Sequence, residues 1–288
     1  MFPADLIGSG HFSEGLASTE QNGKTGFIDR KGKLVIPRVF DAVEDFSEGL
    51  AVVEVSKQYG YINKDGSFAI QPKYTRAEGL SEGAARVIEE GNCLYTGYSV
   101  CASPMVLPYE PNGGRSMDVP RCRFSFIDKQ GLRLFEEKYV DAQDFSEGLA
   151  PVGDGKRWGY VDKKGTLVIP MQYEYAEPFA EGLARVRLGM RWGYIDKTGN
   201  MVIPAVYEDA LDFSEGMAVV GDGLYRYWFI DQKGDQPIPQ FFTAASSFVM
   251  GLAHVRNGVN YYKSKWSYID HNGRAVFTYS DQSGRRKR

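Results

Sequence analysis

The chain has 288 residues, with 34 Lys and Arg against 37 Asp and Glu, a net charge of -3 and a hydrophobic fraction of 43%. Near-neutral charge gives no electrostatic footprint for nucleic acid or an anionic membrane, so neither is an expected partner. No run of about 18 apolar residues occurs, which excludes a spanning helix on hydropathy, and 33 glycines with 14% aromatics favour short strands and tight turns over helices.

The start, Met1 to Gly8, has neither a basic n-region nor a long apolar h-region, so no secretory signal and a cytoplasmic location are expected. From residue 12 a phrase recurs, fullest at Phe145-Ser146-Glu147-Gly148-Leu149-Ala150. Its opening residues are Phe12, Phe46, Leu80, Phe145, Phe179, Phe213 and Phe248, separated by 34, 34, 65, 34, 34 and 35 residues. The long interval is one period plus 31. Such a period marks a repeat architecture, whose units bury their apolar faces only against neighbours. We expect one all-β repeat domain over residues 1–280, followed by a disordered basic tail at 281–288.

Residues 145–178 define the unit. Gly148 to Val152 reads as a strand, and Gly153-Asp154-Gly155-Lys156 as a turn. Trp158 to Asp162 reads as a second strand, then Asp162-Lys163-Lys164-Gly165 as a type I turn in which Asp satisfies backbone N–H groups. Thr166 to Ile169 reads as a third strand stopped by Pro170. Tyr173 to Phe179 leads onward as a fourth short strand or a crossover, so each unit is a small antiparallel meander. Three residues before Ile28, Ile62, Ile127, Val161, Ile195, Ile230 and Ile269 stand Thr25, Tyr59, Phe124, Trp158, Trp192, Tyr227 and Trp266, which suit a wedge between units. The next position is Gly26, Gly60, Gly159 and Gly193, but Ser125, Trp228 and Ser267 elsewhere. A small residue there lets a neighbouring backbone approach.

Phe-Ser-Glu-Gly-Leu-Ala, Trp-Gly-Tyr-Ile-Asp, Gly, Val-Ile-Pro and Tyr together resemble the bacterial WG (KWG) repeat, most faithfully over residues 145–213. The resemblance implies a β-repeat array and supplies no catalytic residues. Closure into a compact seven-bladed, propeller-like ring is the expected arrangement, because it removes exposed sheet edges, with an open β-solenoid as the alternative.

The third unit is interrupted at about residues 90–121. All three cysteines, Cys93, Cys101 and Cys122, fall in or beside this insertion. In a reducing compartment free thiols are the simplest reading, with a Cys93–Cys122 bridge or a metal as alternatives. Tyr95, Tyr98, Met105, Leu107 and Tyr109 in the insertion, and Trp228, are the candidate partner-binding residues.

The recurring acids Asp29, Asp128, Asp162, Asp196, Asp231 and Asp270, with Asn63 completing the series, are explained by turns. Glu14, Glu48, Glu82, Glu147, Glu181 and Glu215 read as turn or interface residues. Near-identical repeated positions do not supply the differing environments that acid–base pairs need. His11, His254 and His271 sit in terminal units without a nucleophile or metal motif. No cofactor, metal or catalysis is expected. The residues point to a protein-binding scaffold, with a factor that blocks a toxin or effector as a special case. A carbohydrate or small-molecule module stacking ligands on Trp158, Trp192 and Trp266 is the alternative.

Overall fold

The computed structural model describes residues 11–89, 123–258 and 265–280, all strand, turn and loop. Among the described residues, seven antiparallel sheets follow one another in sequence, three of three strands and four of four. The chain divides into two compact units, Met1–Gly155 with Val161–Thr166, and Lys156–Tyr160 with Leu167–Arg288. The insertion residues proposed for binding, and all three cysteines, lie outside the described residues.

The fifth repeat shows the plan. Strand Tyr175–Ala176 pairs with Ala184–Leu188, which pairs with Arg191–Ile195, which pairs with Met201–Tyr207. The phrase is the tight turn that opens each sheet. In the second repeat Ser47 and Leu50 exchange backbone hydrogen bonds of 2.8 and 3.1 Å, and the two residues between them, Glu48 and Gly49, sit at φ 52° and 91°. Positive φ at both central positions is the hairpin turn that matches strand twist.

Asn or Asp would suit the first of those positions better than Glu, and the reason for Glu lies in the next repeat. Its carboxylate accepts the backbone N–H of the following phrase's glycine: Glu14 from Gly49, Glu48 from Gly83, Glu82 from Gly148, Glu181 from Gly216 and Glu215 from Gly251. The preceding serine reaches the same neighbour. Ser13, Ser47, Ser81 and Ser214 donate to the carbonyls of Phe46, Leu80, Phe145 and Phe248 at 2.6 to 2.7 Å. Cations complete the staple: Lys64, Lys129 and Lys163, from the next repeat's Asp turn, pair with Glu14, Glu48 and Glu82.

The Lys64 ammonium holds the Glu14 carboxyl below its ordinary value of 4.5, against desolvation and with help from the Gly49 and Glu48 N–H groups. A depressed carboxyl stabilises the fold above its unfolded pKa, and that stabilisation disappears as pH falls through the folded value. Glu14→Gln is therefore expected to lower stability at pH 7 by less than about 1 kcal/mol, since the pair is partly exposed. Below pH 4.5 the two proteins should converge. Urea titrations at pH 7 and pH 3 measure both limbs, and an equal difference at the two pH values would refute the assignment.

Two aromatic positions of the second strand meet rings of the neighbouring repeat: the Trp position, where Trp158 packs on Tyr175 at 5.1 Å and Tyr175 on Trp192 at 5.9 Å, and the aromatic two residues later. Phe27, Tyr61, Phe126, Tyr160, Tyr194 and Phe229 are each at most 1% exposed. Five of them pack on the next phrase's Phe with centroids 4.9 to 5.0 Å apart: Phe27 on Phe46, Phe126 on Phe145, Tyr160 on Phe179, Tyr194 on Phe213 and Phe229 on Phe248. Where the ring is Tyr its hydroxyl donates to a carbonyl, as Tyr61 does to Glu78 and Tyr194 to Leu211, so a polar atom is buried with a partner. The two positions are two residues apart and so share one face of the strand, and the later ring is the more deeply buried of the pair.

The third strand runs through its proline instead of stopping there. In Met201–Tyr207, Pro204 falls in a register shift between the Trp192–Tyr207 and Tyr194–Ile203 pairs. A bulge on a sheet edge leaves proline's missing N–H without consequence. The same bulge explains the glycine after Trp. A Cβ at Gly159 would lie 2.4 Å from the Ile169 oxygen and 2.8 Å from the Pro170 carbonyl carbon. Repeats lacking this glycine pair differently at this position, although the seventh keeps a shift between Tyr268 and Ile269. In the third and sixth, only single bridges remain, Ile127 to Arg133, Phe124 to Tyr139 and Tyr227 to Phe242. In the seventh, Ser267 pairs regularly with Thr278 across strand Ala275–Ser280, and the two hydroxyls lie 2.9 Å apart.

Candidate functional site

The acids assigned to turns do hold turns. In each of Asp29, Asp128, Asp162, Asp196, Asp231 and Asp270, one carboxylate oxygen accepts N–H groups two and four residues on, at 2.8 to 2.9 Å. In the second repeat Asp65, not Asn63, accepts from the Ser67 N–H and hydroxyl. Among the described residues, no group of three or more His, Cys, Asp or Glu is placed to hold a metal ion. The histidines serve their repeats. His271 donates toward the Glu215 carbonyl and stacks on Phe248 at 4.1 Å, while His254 stacks on Trp266 at 4.3 Å and meets the Tyr279 hydroxyl at 2.9 Å.

Within the second compact unit an open cleft of about 540 Å³ is lined by Arg185, Trp192, Asp209, Leu211, Tyr225, Tyr227, Thr243 and Arg256, with further small residues. Three successive sheets contribute. Arg185 and Trp192 come from strands Ala184–Leu188 and Arg191–Ile195, Asp209 and Tyr227 from Asp209–Ala210 and Tyr227–Asp231, and Arg256 from Ala253–Asn257. Arg185 is fixed: its guanidinium bonds Asp212 at 2.6 Å, the Ala210 carbonyl at 2.6 Å and Glu177 at 2.9 Å. It also caps the Trp192 ring at 5.0 Å. Arg256 donates to the Thr243 hydroxyl at 3.1 Å and lies 5.5 Å over Trp266. Burial, and then the Asp209 carboxylate, raise the Tyr227 hydroxyl above its ordinary value, so the wall is neutral there at physiological pH.

The lip is the loop between strands Met217–Gly221 and Tyr227–Asp231. Asp222 ties it, accepting from the Leu224 N–H and from Arg226. Tyr225 adopts φ 58°, and Leu224 and Tyr225 are 78% and 76% exposed. Exposed apolar side chains on a tied loop, beside half-buried Trp, Tyr and Arg, match the composition of interaction hot spots. Sequence reading passed over this loop. Its signal is an apolar Leu224-Tyr225 pair where the fourth repeat's turn carries Lys156-Arg157.

Trp228 does not line the cleft. It is half-buried between Tyr207 and Phe241, at centroid distances of 5.9 and 5.7 Å, and fills the space left where the third strand is lost. The three tryptophans considered as sugar platforms are engaged by the chain itself. Trp158 is 6% exposed, Trp192 is capped by Arg185, and Trp266 is covered by His254. No described helix is long and apolar enough to cross a membrane.

Comparison with solved structures finds similarity at low identity. A eukaryotic initiation factor aligns with TM-score 0.55 and 11% identity, over 91% of this chain and 72% of that one. The dihydro-heme d1 dehydrogenase NirN aligns at 0.49 and 10%, over 98% and 68%. The C-terminal WD40 domain of Sif2 aligns at 0.44 and 9%, over 90% and 78%. No curated protein sequence matches. The model of the WG containing repeat matches four segments, residues 26–57, 59–93, 158–189 and 192–222. Those segments hold the glycine bulge, the buried wedge ring and most of the stapling phrases, and over them the chain matches the WG-containing repeat family.

Proposed function

We propose that the chain is a non-catalytic scaffold that binds another protein through the cleft of its second compact unit. The observation that carries this reading is the lip, where Leu224 and Tyr225 stand exposed on a tied loop above Trp192, Tyr227 and two guanidiniums. The repeated carboxylates support it from the other side, because they are engaged in turns and staples. The aromatic insertion Tyr95, Tyr98, Met105, Leu107 and Tyr109 is proposed as a second contact for the same partner. Within this class, a cytoplasmic factor that occupies and blocks a toxin or effector is the special case we favour, since a rigid surface without chemistry of its own acts by covering.

Affinity purification followed by binding assays with the recovered partner tests the proposal. Leu224→Ser with Tyr225→Ser is expected to weaken binding at least tenfold, about 1.4 kcal/mol, without changing thermal stability appreciably. Deletion of residues 92–120 should weaken it further. Unchanged binding in the double variant sinks the cleft, unchanged binding in the deletion sinks the insertion's role, and a partner that keeps its activity in the complex sinks the blocking role.

A further inference from the structure

The cleft lies where two junctions lack a ring that the preceding junction has. In the fifth repeat the first strand opens on Tyr175, in register with Arg187. The Tyr175 ring meets the Trp-position rings of two successive repeats, Trp158 at 5.1 Å and Trp192 at 5.9 Å. The same register puts Asp209 at this place in the sixth repeat, opposite Gly221, and Ala244 in the seventh, opposite Arg256. Neither side chain is a ring, yet the rings that would meet one are kept. Trp192 of the fifth repeat and Tyr227 of the sixth line the cleft together with Asp209 and Ala244. A Cβ at Gly221 would stand 2.9 Å from the Tyr227 ring and 3.2 Å from the Asp209 Cβ, so glycine there lets the Tyr227 ring lie close beside Asp209.

A planar aromatic side chain is what this chain itself places in such a slot, and the polar groups of the cleft select among planar groups. The exposed Asp209 carboxylate meets the Tyr227 hydroxyl at a long 3.4 Å, which leaves it able to accept a shorter, stronger bond from an incoming hydroxyl. Arg185 and Arg256 also line the cleft. An entering guanidinium would meet two like charges, whereas the π-face of a phenol attracts them. Phenylalanine would fill the same space and bring no donor for Asp209. Leu224 and Tyr225, exposed at the lip, supply the apolar surround for the segment that carries the ring.

We propose that the cleft is a tyrosine-binding slot, in which a tyrosine side chain of the partner takes the place that Tyr175 fills one junction earlier and donates its hydroxyl to Asp209. This inference rests on the reading of the cleft as the partner's binding site. Titration of the full chain with N-acetyl tyrosine amide, followed by NMR at the Trp192 indole N–H, tests it without the partner. Trp192→Phe assigns that signal among the four tryptophans. A saturable shift is expected at about 10 mM amide or below, with the phenylalanine amide about threefold weaker and the arginine amide giving no saturable shift. Asp209→Ala is expected to erase the preference for tyrosine over phenylalanine, a change of selectivity that partial unfolding does not produce. Asp209→Tyr supplies the ring from the chain itself and should abolish the shift, with circular dichroism confirming that both variants are folded. The proposal is overturned by a wild type that gives no shift with the tyrosine amide, by an arginine amide that binds as well, or by binding that survives Asp209→Tyr. Partner binding by the Leu224→Ser, Tyr225→Ser variant separates the two readings. If it is lost while the amide gives no shift, the cleft stands and the tyrosine slot falls; if it is unchanged while the amide binds, the slot stands and its use by that partner falls.

Discussion

Gly159→Ala is expected to destabilise the protein by about 3–5 kcal/mol, a loss among the largest that one methyl group can cause. The atoms that its Cβ would meet, the Ile169 oxygen and Pro170 carbonyl carbon at 2.4 and 2.8 Å, belong to the backbone of the bulged third strand. Backbone in a paired strand cannot rotate aside as a side-chain end can. The contrasting variant is Gly148→Ala, where φ is 90° and nothing lies within 4 Å of the added atom. Only local conformational strain opposes that change, about 1–2 kcal/mol. Urea midpoints of the two variants measure the difference directly. Similar losses would show that the bulge is not what selects glycine after Trp.

The second large effect is expected for Phe213→Ala. Phe213 is 3% exposed and packs edge-on against Tyr194 at 4.9 Å, in a core shared with Ile203, Ala218, Val220 and Ile230. Truncation leaves a cavity at the junction of the fifth and sixth repeats and should cost about 3–5 kcal/mol. Stability in a repeat protein is a sum of unit and nearest-neighbour terms, so the loss falls on one junction. Amide exchange should therefore accelerate first in strands Arg191–Ile195 and Met217–Gly221. The same truncation at Phe12, which is 43% exposed, should cost under about 1 kcal/mol. Equal costs at the two positions would contradict the role of the phrase aromatic as an interface residue.

Much of the fold was legible because each junction is built from the same few residues. The phrase Phe-Ser-Glu-Gly recurs since one turn must supply a buried ring, a serine hydroxyl, a carboxylate and a positive-φ hairpin at once. The turn aspartates were legible for the same local reason. One misreading has its cause in pairing. Pro170 looked like a strand end because its missing N–H was weighed against a ladder, and on a bulged edge there is no ladder bond to lose. The wedge at Trp158 and Trp192 was legible from its recurrence, while the deeper ring on the same strand face two residues later was passed over.

The cleft was not legible, and its residues explain why. Arg185, Asp209, Tyr225, Thr243 and Arg256 come from three repeats, and Leu224 and Tyr225 depart from the repeat pattern. No period marks them. Trp228 was legible as a departure, and it stands half-buried between Tyr207 and Phe241.

By itself the sequence determined the period, the strand and turn chemistry of each unit and the positions that must be glycine, because these depend on backbone conformation within about 34 residues. Only the tertiary structure decided what the repeated carboxylates and rings touch, and how deeply they are buried. Glu82 meets Gly148 across the long insertion, and Tyr268 differs from Tyr194 in exposure while matching it in sequence. Packing of one repeat on the next brings distant residues together, and that outcome is not encoded in any single unit.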